Sequence, residues 1–341
     1  MVRHAHLIGS VGLEDAETVI STVADILGDC CTRIPDGETG DRGYWIRWQQ
    51  SNFDGCDDLQ VEVVTQTIPG FKDKVERPFY RIKDGVDPAS IDLGELGYAD
   101  EAIESHAIFK ALKADGAISA DVRFQVCFPS PMALVVGFIM PEDQLKVEPA
   151  IIAAMKKDLA KLQAAIPADE LAIQFDVCYE VVGHDGGPKL PYEDTVGESV
   201  KRVGHMCDEV NSDVECGIHL CYGDPGHKHI IEPADLGTSV AFANGIIDAA
   251  SRKITFMHMA VPKDRHDEAY FAPLNGLSMP VETRLILGLV HHTDGVEGSK
   301  ARIATAEKFI ADFDIATECG FGRRDPQTIP ALLQIHRDLC D

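Results

Sequence analysis

The sequence predicts a (β/α)8 barrel, the TIM-barrel class of α/β fold, as a single domain over residues 1–341. Short apolar, β-rich runs alternate with longer segments of helical period, and this alternation is typical of parallel strands joined by crossover helices. Eight such runs occur, which is the number of strands that closes this barrel. The hydrophobic content of 45% is sufficient for a substantial core.

Eight segments have the composition of buried parallel strands. In chain order they are HAHLIGS from His4, CTRIPDGE from Cys31, VRFQVCFPS from Val122, LAIQFDVCYE from Leu171, VECGIHLCYG from Val214, KITFMHMAV from Lys253, TRLILGLVHHTDG from Thr283 and FDIATECGFG from Phe313. Between them, apolar residues recur at i, i+3 and i+4 within 19–27 and 151–162, which indicates helices with one buried face. A final helix is predicted after Thr328, because Pro330 would lie in its first turn.

Residues 39–120 do not follow this alternation. They contain both tryptophans, several Gly and Pro, the charged stretch FKDKVERPFYRIKDGVD and one helical pattern around Ala102–Leu112. We predict that this segment is an insertion after the second strand, serving as a lid or as a contact between copies of the chain. A homo-oligomer is compatible with that prediction.

The charge balance excludes two classes of partner. There are 31 basic and 56 acidic residues, giving a formal net charge of −25 that would repel phosphate backbones and anionic lipids. We therefore expect neither nucleic-acid nor membrane binding. The first residues lack the apolar run of a signal peptide, and no window approaches the ~18 apolar residues of a spanning helix. We expect a cytoplasmic protein whose ten scattered cysteines are mostly reduced and buried.

Three positions far apart in the sequence predict a metal centre. His219 and Cys221 end the fifth predicted strand, and Cys319 ends the eighth. In this fold the carboxyl ends of the strands meet on one face, where the chemistry takes place. An imidazole and two thiolates are the ligands that zinc prefers, and three protein ligands leave a position open for substrate. The pattern therefore predicts an enzyme with bound Zn2+.

The same face receives residues from the first two strands. Gly9 and Ser10 end the first strand, and the PDGETGDR segment places Asp36, Glu38 and Arg42 directly after the second. We expect these residues to bind substrate. A tight surface turn would also suit the glycines and acids of that segment.

Three further strand ends carry ionisable residues. Asp176 lies in an otherwise apolar strand and needs a partner, either a substrate amine or a protein arginine. His258 is a candidate fourth metal ligand, although a single histidine on an apolar strand can equally be a core residue. We expect Asp176 to be catalytic by orienting the substrate, and His291 by transferring protons. His227 and His229 are either donors to the metal ligands or members of a solvated loop.

These strand ends resemble the C-terminal catalytic barrel of cobalamin-independent methionine synthase, within the fold group that includes uroporphyrinogen decarboxylase. LIGS is similar to the family's I-G-S, which contacts the amino-acid substrate, and IQFD to its I-Q-x-D, which implies that Asp176 holds the substrate amine. HLCY and ECGFG are similar to its H-x-C-Y and C-G segments. The resemblance implies that His219, Cys221 and Cys319 bind zinc, and that His291 matches a family histidine.

The sequence also departs from that family. Where the family has a zinc-binding Glu, KITFMHMAV has His258, and the chain has one barrel without the family's N-terminal half. We therefore expect zinc-dependent methyl or alkyl transfer involving a small thiol, rather than methionine synthesis. Methyl-folate, a methylated corrinoid protein, a methyl ether or an epoxide would each suit as alkyl donor, and the reverse dealkylation would also suit.

Two other classes of function compete with this hypothesis. His4 and His6 form an H-x-H pair that, with His219 and His258, is typical of barrel metallohydrolases, although both lie before the end of their strand. A metal-dependent hydrolase or lyase is therefore one alternative. A non-catalytic, zinc-stabilised binding protein is the other, although structural zinc is normally held by four closed ligands.

Overall fold

The computed structural model describes residues 3–67, 72–225 and 228–340, and it contains a nearly closed barrel of parallel strands. The strands are β1 (Ala5–His6), β2 (Arg33–Pro35), β3 (Leu59–Gln66), β4 (Val75–Ile82), β5 (Arg123–Pro129), β6 (Leu171–Val177), β7 (Glu215–Leu220), β8 (Phe256–Ala260), β9 (Arg284–Gly288) and β10 (Asp314–Ala316). Eight of them form the barrel in the order β1-β10-β9-β8-β7-β6-β5-β2, and a parallel bridge between Ala5 and Cys31 joins its two edges. The predicted fold class is confirmed.

Helices surround the barrel. They are α1 (Ala16–Leu27), α2 (Gln50–Asp54), α3 (Tyr98–Ala114), α4 (Pro131–Phe138), α5 (Gln144–Ala165), α6 (Tyr179–His184), α7 (Thr195–Asp208), α8 (Gly237–Ala249), α9 (Glu268–Phe271), α10 (Gly295–Ala306) and α11 (Ile329–Arg337). Helix α1 buries the predicted apolar stripe, and the Asp15 carboxylate caps it by accepting a hydrogen bond from the Thr18 amide at 2.8 Å. Within the described ranges, no helix combines the length and apolar character needed to cross a bilayer.

Alternation along the strands separates an apolar outer layer from a polar interior. In β6, for example, Ile173 and Phe175 belong to the core shared with the helices, whereas Gln174 and Asp176 have the opposite parity and face the interior. The register then pairs Asp176 with His219 on β7, and His219 with His258 on β8. Three ionisable side chains are thereby set side by side at one level of the barrel.

Only part of the region after β2 is an insertion into the barrel. Its helix α3 packs between α1 and α5, which is the position of a crossover helix, so α3 belongs to the barrel itself. The remaining part, residues 40–82, contains a 3-10 segment (Gly40–Gln49), α2 and the antiparallel hairpin β3–β4. We call residues 40–82 the insertion. Because Trp45, Arg47 and Arg77 line the cavity described below, the insertion covers the face that carries the strand-end residues.

Gly217 provides a test of packing inside the barrel. A Cβ at this position in β7 would lie 2.1 Å from the ring of Phe256, so we expect Gly217→Ala to lower the free energy of unfolding by about 1–3 kcal/mol. Gly276→Ala is the control, because a Cβ there meets nothing within 4 Å. Urea unfolding of both variants measures the difference. Equal stability of the two variants would show that the interior is not close-packed at Gly217.

Candidate metal centre

Three side chains converge at the carboxyl ends of β7 and β10. His219 lies in β7, Cys221 follows it, and Cys319 follows β10. Their ligand atoms all lie within 4.8 Å of one another, and the Cys221 and Cys319 sulfurs are 3.7 Å apart. Two thiolates bound at ~2.3 Å to one tetrahedral zinc ion would be about 3.8 Å apart. The observed separation therefore fits a shared zinc ion. We call His219, Cys221 and Cys319 the metal-binding group, because they are the candidate ligands of such an ion.

The two thiols need a cation in order to ionise. The pKa of Cys319 is raised well above its ordinary value by its hydrogen bond with Cys221 and by burial. The pKa of Cys221 is raised as well, first by a hydrogen bond with Cys178 and then by burial. A bound zinc ion reverses this preference, because a coordinating thiol is deprotonated. Two groups lie close enough to stabilise the ionised sulfurs. The Gly223 amide donates a hydrogen bond to the Cys221 sulfur at 3.1 Å, and the Arg323 guanidinium lies 4.0 Å from the Cys319 sulfur.

A chain of hydrogen bonds fixes the tautomer of His219. The Thr317 carbonyl can only accept, so the His258 Nε2–H donates to it at 3.0 Å and leaves the His258 Nδ1 as an acceptor. His219 Nδ1–H donates to that nitrogen at 2.7 Å. Burial lowers the pKa of both histidines, to about 3 for His258, so both rings are neutral. The lone pair of His219 is therefore on Nε2.

That Nε2 atom is the strongest indication of a ligand. It is buried and has no hydrogen-bond partner among the residues that the structure describes. An unpaired buried nitrogen with a free lone pair is costly, unless it binds something absent from the protein itself. Because the two thiols lie within 4.8 Å of it, a soft metal ion fits this position.

His258 lies outside the ligand group, contrary to the prediction that it binds the metal. Both of its ring nitrogens are occupied, one by His219 and the other by Thr317. It therefore positions His219, in the way that a second hydrogen-bonded group commonly orients a metal-binding imidazole. Sequence alone could not separate these roles, because they differ only in where the two nitrogens point.

Two carboxyl groups from different strands share the cavity beside this centre. Burial raises the pKa of Asp176 to about 7, although Gln174 donates to its Oδ1 at 2.9 Å. Burial and the nearby charges of Asp176 and Asp36 raise the pKa of Glu38 to about 8. Two buried acids whose ionised forms are disfavoured in this way can accept a cationic or hydrogen-donating group.

Gln174 holds Asp176 in place. The Gln174 amide also donates to the Ile8 carbonyl at 2.6 Å, while its oxygen lies 2.9 Å from His6 Nε2. His6 thus lies beneath Asp176 and outside the metal-binding group.

Ser10 lines the cavity, and its backbone carbonyl accepts a hydrogen bond from the Phe321 amide at 2.9 Å. This bond connects the end of the first strand to the loop that carries Cys319.

Three residues predicted to bind substrate lie behind the cavity lining. Asp36 and Arg42 pair with each other at 2.9 Å, and Arg42 also contacts Glu101 at 3.2 Å. Asp36 further accepts from the Glu38 amide at 2.9 Å, so the pair supports Glu38. A Cβ on Gly9 would lie 3.3 Å from the Glu38 carboxylate, which places Gly9 against the same residue.

His291 also lies outside the lining. It is buried, with Nε2 2.9 Å from the Val261 carbonyl and Nδ1 3.5 Å from Glu318. Glu318 is also 3.1 Å from His229, which contacts Glu232, so the residue that follows Thr317 pairs with His229 as well as lying near His291. The role of His291 in proton transfer stays a prediction. His227 lies outside the described residues.

The cavity at this face has a volume of about 170 Å3. The metal-binding group, Ser10, Glu38 and Asp176 line it, together with residues that sequence reasoning missed: Trp45, Arg47, Arg77, Cys178 and Tyr179. Two lining residues have backbones in the left-handed region, Glu38 at φ 46° and Trp45 at φ 57°. Such strain at non-glycine residues is concentrated at functional sites.

Fold and site together define a TIM barrel whose strand ends bring together His219, Cys221 and Cys319, three residues that could hold a metal ion. No protein-family model and no curated protein matches the sequence. Solved structures do share the fold. A putative vitamin-B12 independent methionine synthase from Listeria monocytogenes aligns with TM-score 0.56 and 14% identity, over 95% of this chain and 86% of its own.

Two further structures are similar. A B12-independent methionine synthase from Shewanella sp. W3-18-1, in complex with selenomethionine, aligns with TM-score 0.55 and 12% identity over 99% of this chain and 97% of its own. A methyltransferase from Methanosarcina mazei aligns with TM-score 0.58 and 12% identity over 99% and 94%. The resemblance to methionine-synthase barrels is confirmed at the level of fold.

The role assigned to His258 can be tested by metal affinity. His258→Phe keeps the ring but removes the acceptor of His219 Nδ1–H, so we expect zinc affinity to fall about 10- to 100-fold, the usual loss when a supporting partner is removed. His219→Ala and Cys221→Ser should lose more, because they remove ligands. Competition with a chromophoric chelator measures each affinity. Unchanged affinity in His258→Phe would contradict the relay.

Glu38 should make stability depend on pH. Because its pKa in the folded protein is about 8 against an ordinary 4.5, the folded state holds the proton more tightly than the unfolded chain does. The stability from this group is therefore full below pH 4.5 and is lost as the pH rises towards about 8. Glu38→Gln should flatten that decline in urea unfolding, whereas the exposed Glu104→Gln should reproduce the wild-type slope.

Proposed function

We propose that this protein catalyses zinc-dependent methyl or alkyl transfer involving a small thiol. The observation that carries the proposal is the buried, unpartnered Nε2 of His219 beside two thiols, with a cavity on the open side. His219, Cys221 and Cys319 would hold the ion. Methionine-synthase and methyltransferase barrels with the same fold support a transferase.

Zinc at this site would keep a substrate thiol in its nucleophilic thiolate form at neutral pH. Two protein thiolates make such an ion a weak acid towards water, which favours thiol chemistry over hydrolysis. The protein supplies the matching environment. Arg323 and the Gly223 amide offset the negative charge on the sulfurs, and His258 keeps the proton of His219 on Nδ1.

Asp176 and Glu38 would orient the substrate. Their carboxyl groups face the cavity, and neither forms an ion pair with an arginine among the residues that the structure describes. An amine or another strong donor placed between them would favour the ionised form of both acids. Ser10 adds a hydroxyl to the same wall. This arrangement would hold the reacting sulfur at a fixed distance from the metal ligands.

Several chemical classes of alkyl donor fit the proposal. Methyl-folate, a methylated corrinoid protein, a methyl ether and an epoxide each present an activated carbon to a thiolate. Methionine synthesis itself is not proposed, because the zinc-binding Glu of that family is replaced by a histidine whose two nitrogens are already bonded.

X-ray absorption at the zinc edge tests the proposal. Protein purified without added metal should contain about one zinc ion per chain, lost in Cys221→Ser and Cys319→Ser, and the substrate thiol should add one sulfur neighbour to the zinc. The matched control is Cys207→Ser, a buried thiol in α7 away from the cavity, which should keep its zinc.

Either of two results would contradict the proposal and favour a different function. Hydrolysis of esters or amides, with no sulfur gained from any thiol, would favour a metallohydrolase. Stoichiometric zinc with four protein ligands and no added ligand from any thiol would favour a zinc-stabilised binding protein.

A further inference from the structure

The insertion brings two arginines to the cavity. Arg47 lies in the 3-10 segment and Arg77 lies in β4, and both line the cavity together with Trp45 and Tyr179. Both guanidinium groups are half-buried. Neither residue takes part in the metal centre or in the group of Asp176 and Glu38 described above.

Neither arginine has an acidic partner within the described ranges. No ion pair joins Arg47 or Arg77 to a carboxylate in the parts of the chain that the structure describes. Arg47 instead donates to the Gly137 carbonyl at 3.1 Å and lies 4.4 Å from the centre of the Phe138 ring, which fixes its orientation. The other arginines at this face differ, because Arg42 pairs with Asp36 and Arg323 with Asp224.

The two positive charges also act on each other. Burial lowers the pKa of Arg47, and the charge of Arg77 lowers it further. Such an arrangement is unfavourable by itself, because two like charges in a half-buried wall repel each other and are partly desolvated. It is also unexpected in a chain with 56 acidic residues against 31 basic ones. A ligand of opposite charge would offset the repulsion between the two guanidinium groups.

The acids of the cavity do not provide that opposite charge. Besides burial, the influences on Glu38 come from Asp176, Asp36, Arg42 and Arg323, and those on Asp176 are hydrogen bonds from Gln174 and Trp45. No ion pair joins Arg47 or Arg77 to either carboxyl group among the residues that the structure describes. The cavity therefore has three chemically separate regions: the metal-binding group, the acid pair and the arginine pair.

We propose that Arg47 and Arg77 bind an oxyanion of the substrate, a carboxylate or a phosphonate-type group. Guanidinium groups suit this role, because their planar donors match such oxyanions. The proposal rests on the proposed function in one respect, that the same molecule places its sulfur at the metal centre. The rings of Trp45 and Tyr179, whose centres are 5.8 Å apart, would together form a wall against which the apolar part of the molecule packs.

Calorimetric titration with matched thiols tests this proposal on the zinc-loaded, full-length protein. The probes are 3-mercaptopropionate, its neutral amide 3-mercaptopropanamide, and 2-mercaptoethylphosphonate. We expect an acid to bind about a hundredfold more tightly than the amide, at about tenfold for each arginine. Whichever acid binds more tightly identifies the oxyanion.

Variants separate the arginine pair from a general charge effect. Arg47→Gln and Arg77→Gln should each reduce the preference for the acid about tenfold while leaving binding of the amide unchanged. Arg81→Gln is the control, because Arg81 lies on the same strand but contacts Glu62 and Glu142 and does not line the cavity. Equal binding of acid and amide in the wild type, or an undiminished preference in both cavity variants, would overturn the proposal.

A second measurement keeps this proposal distinct from the proposed function. If no thiol binds, the proposed function fails, and inorganic phosphate and propionate are titrated instead. Trp45 lines the cavity, so its fluorescence in a Trp48→Phe background reports their binding. A saturable change whose affinity falls about tenfold in Arg47→Gln would support the oxyanion site alone. Absence of any saturable change would refute it as well.

Discussion

The candidate site depends on one chain of hydrogen bonds, from the Thr317 carbonyl through His258 to His219. It spans three strands, and it requires the β7–β8 register that sets the two histidines side by side. It also requires Gly288 on β9, the strand between β8 and β10, because a Cβ there would lie 2.6 Å from His258 Nε2. The fold thus determines which nitrogen of His219 is left to bind a ligand.

Burial favours the uncharged form of each ionisable group around this chain of hydrogen bonds. It makes the histidines neutral, protonates the thiols and raises the pKa values of Asp176 and Glu38, so the isolated cavity favours uncharged groups. A metal ion and a cationic substrate group would reverse two of these preferences. The metal ion would favour the ionised thiols, and the cationic group would favour the ionised carboxyl groups.

Sequence reasoning identified what the barrel itself determines. Short apolar, β-rich runs located all eight barrel strands, and the rule that chemistry lies at their carboxyl ends brought His219, Cys221 and Cys319 together from the sequence alone. It could not assign His258, whose role depends on hydrogen bonds to residues on two other strands. It also could not show that Asp36 and Arg42 pair with each other, or that Arg47 and Arg77 reach the cavity, because the insertion has no period to orient its side chains.

The division between barrel and insertion has an evolutionary consequence. Strand ends supply every member of the metal-binding group, whereas residues 40–82 supply Trp45, Arg47 and Arg77. Substitutions within this one contiguous segment can change the polarity of the cavity wall while the ligand strands, their register and their hydrogen bonds stay as they are. New specificities can therefore arise through exchange of a surface segment, at little risk to the reactive centre.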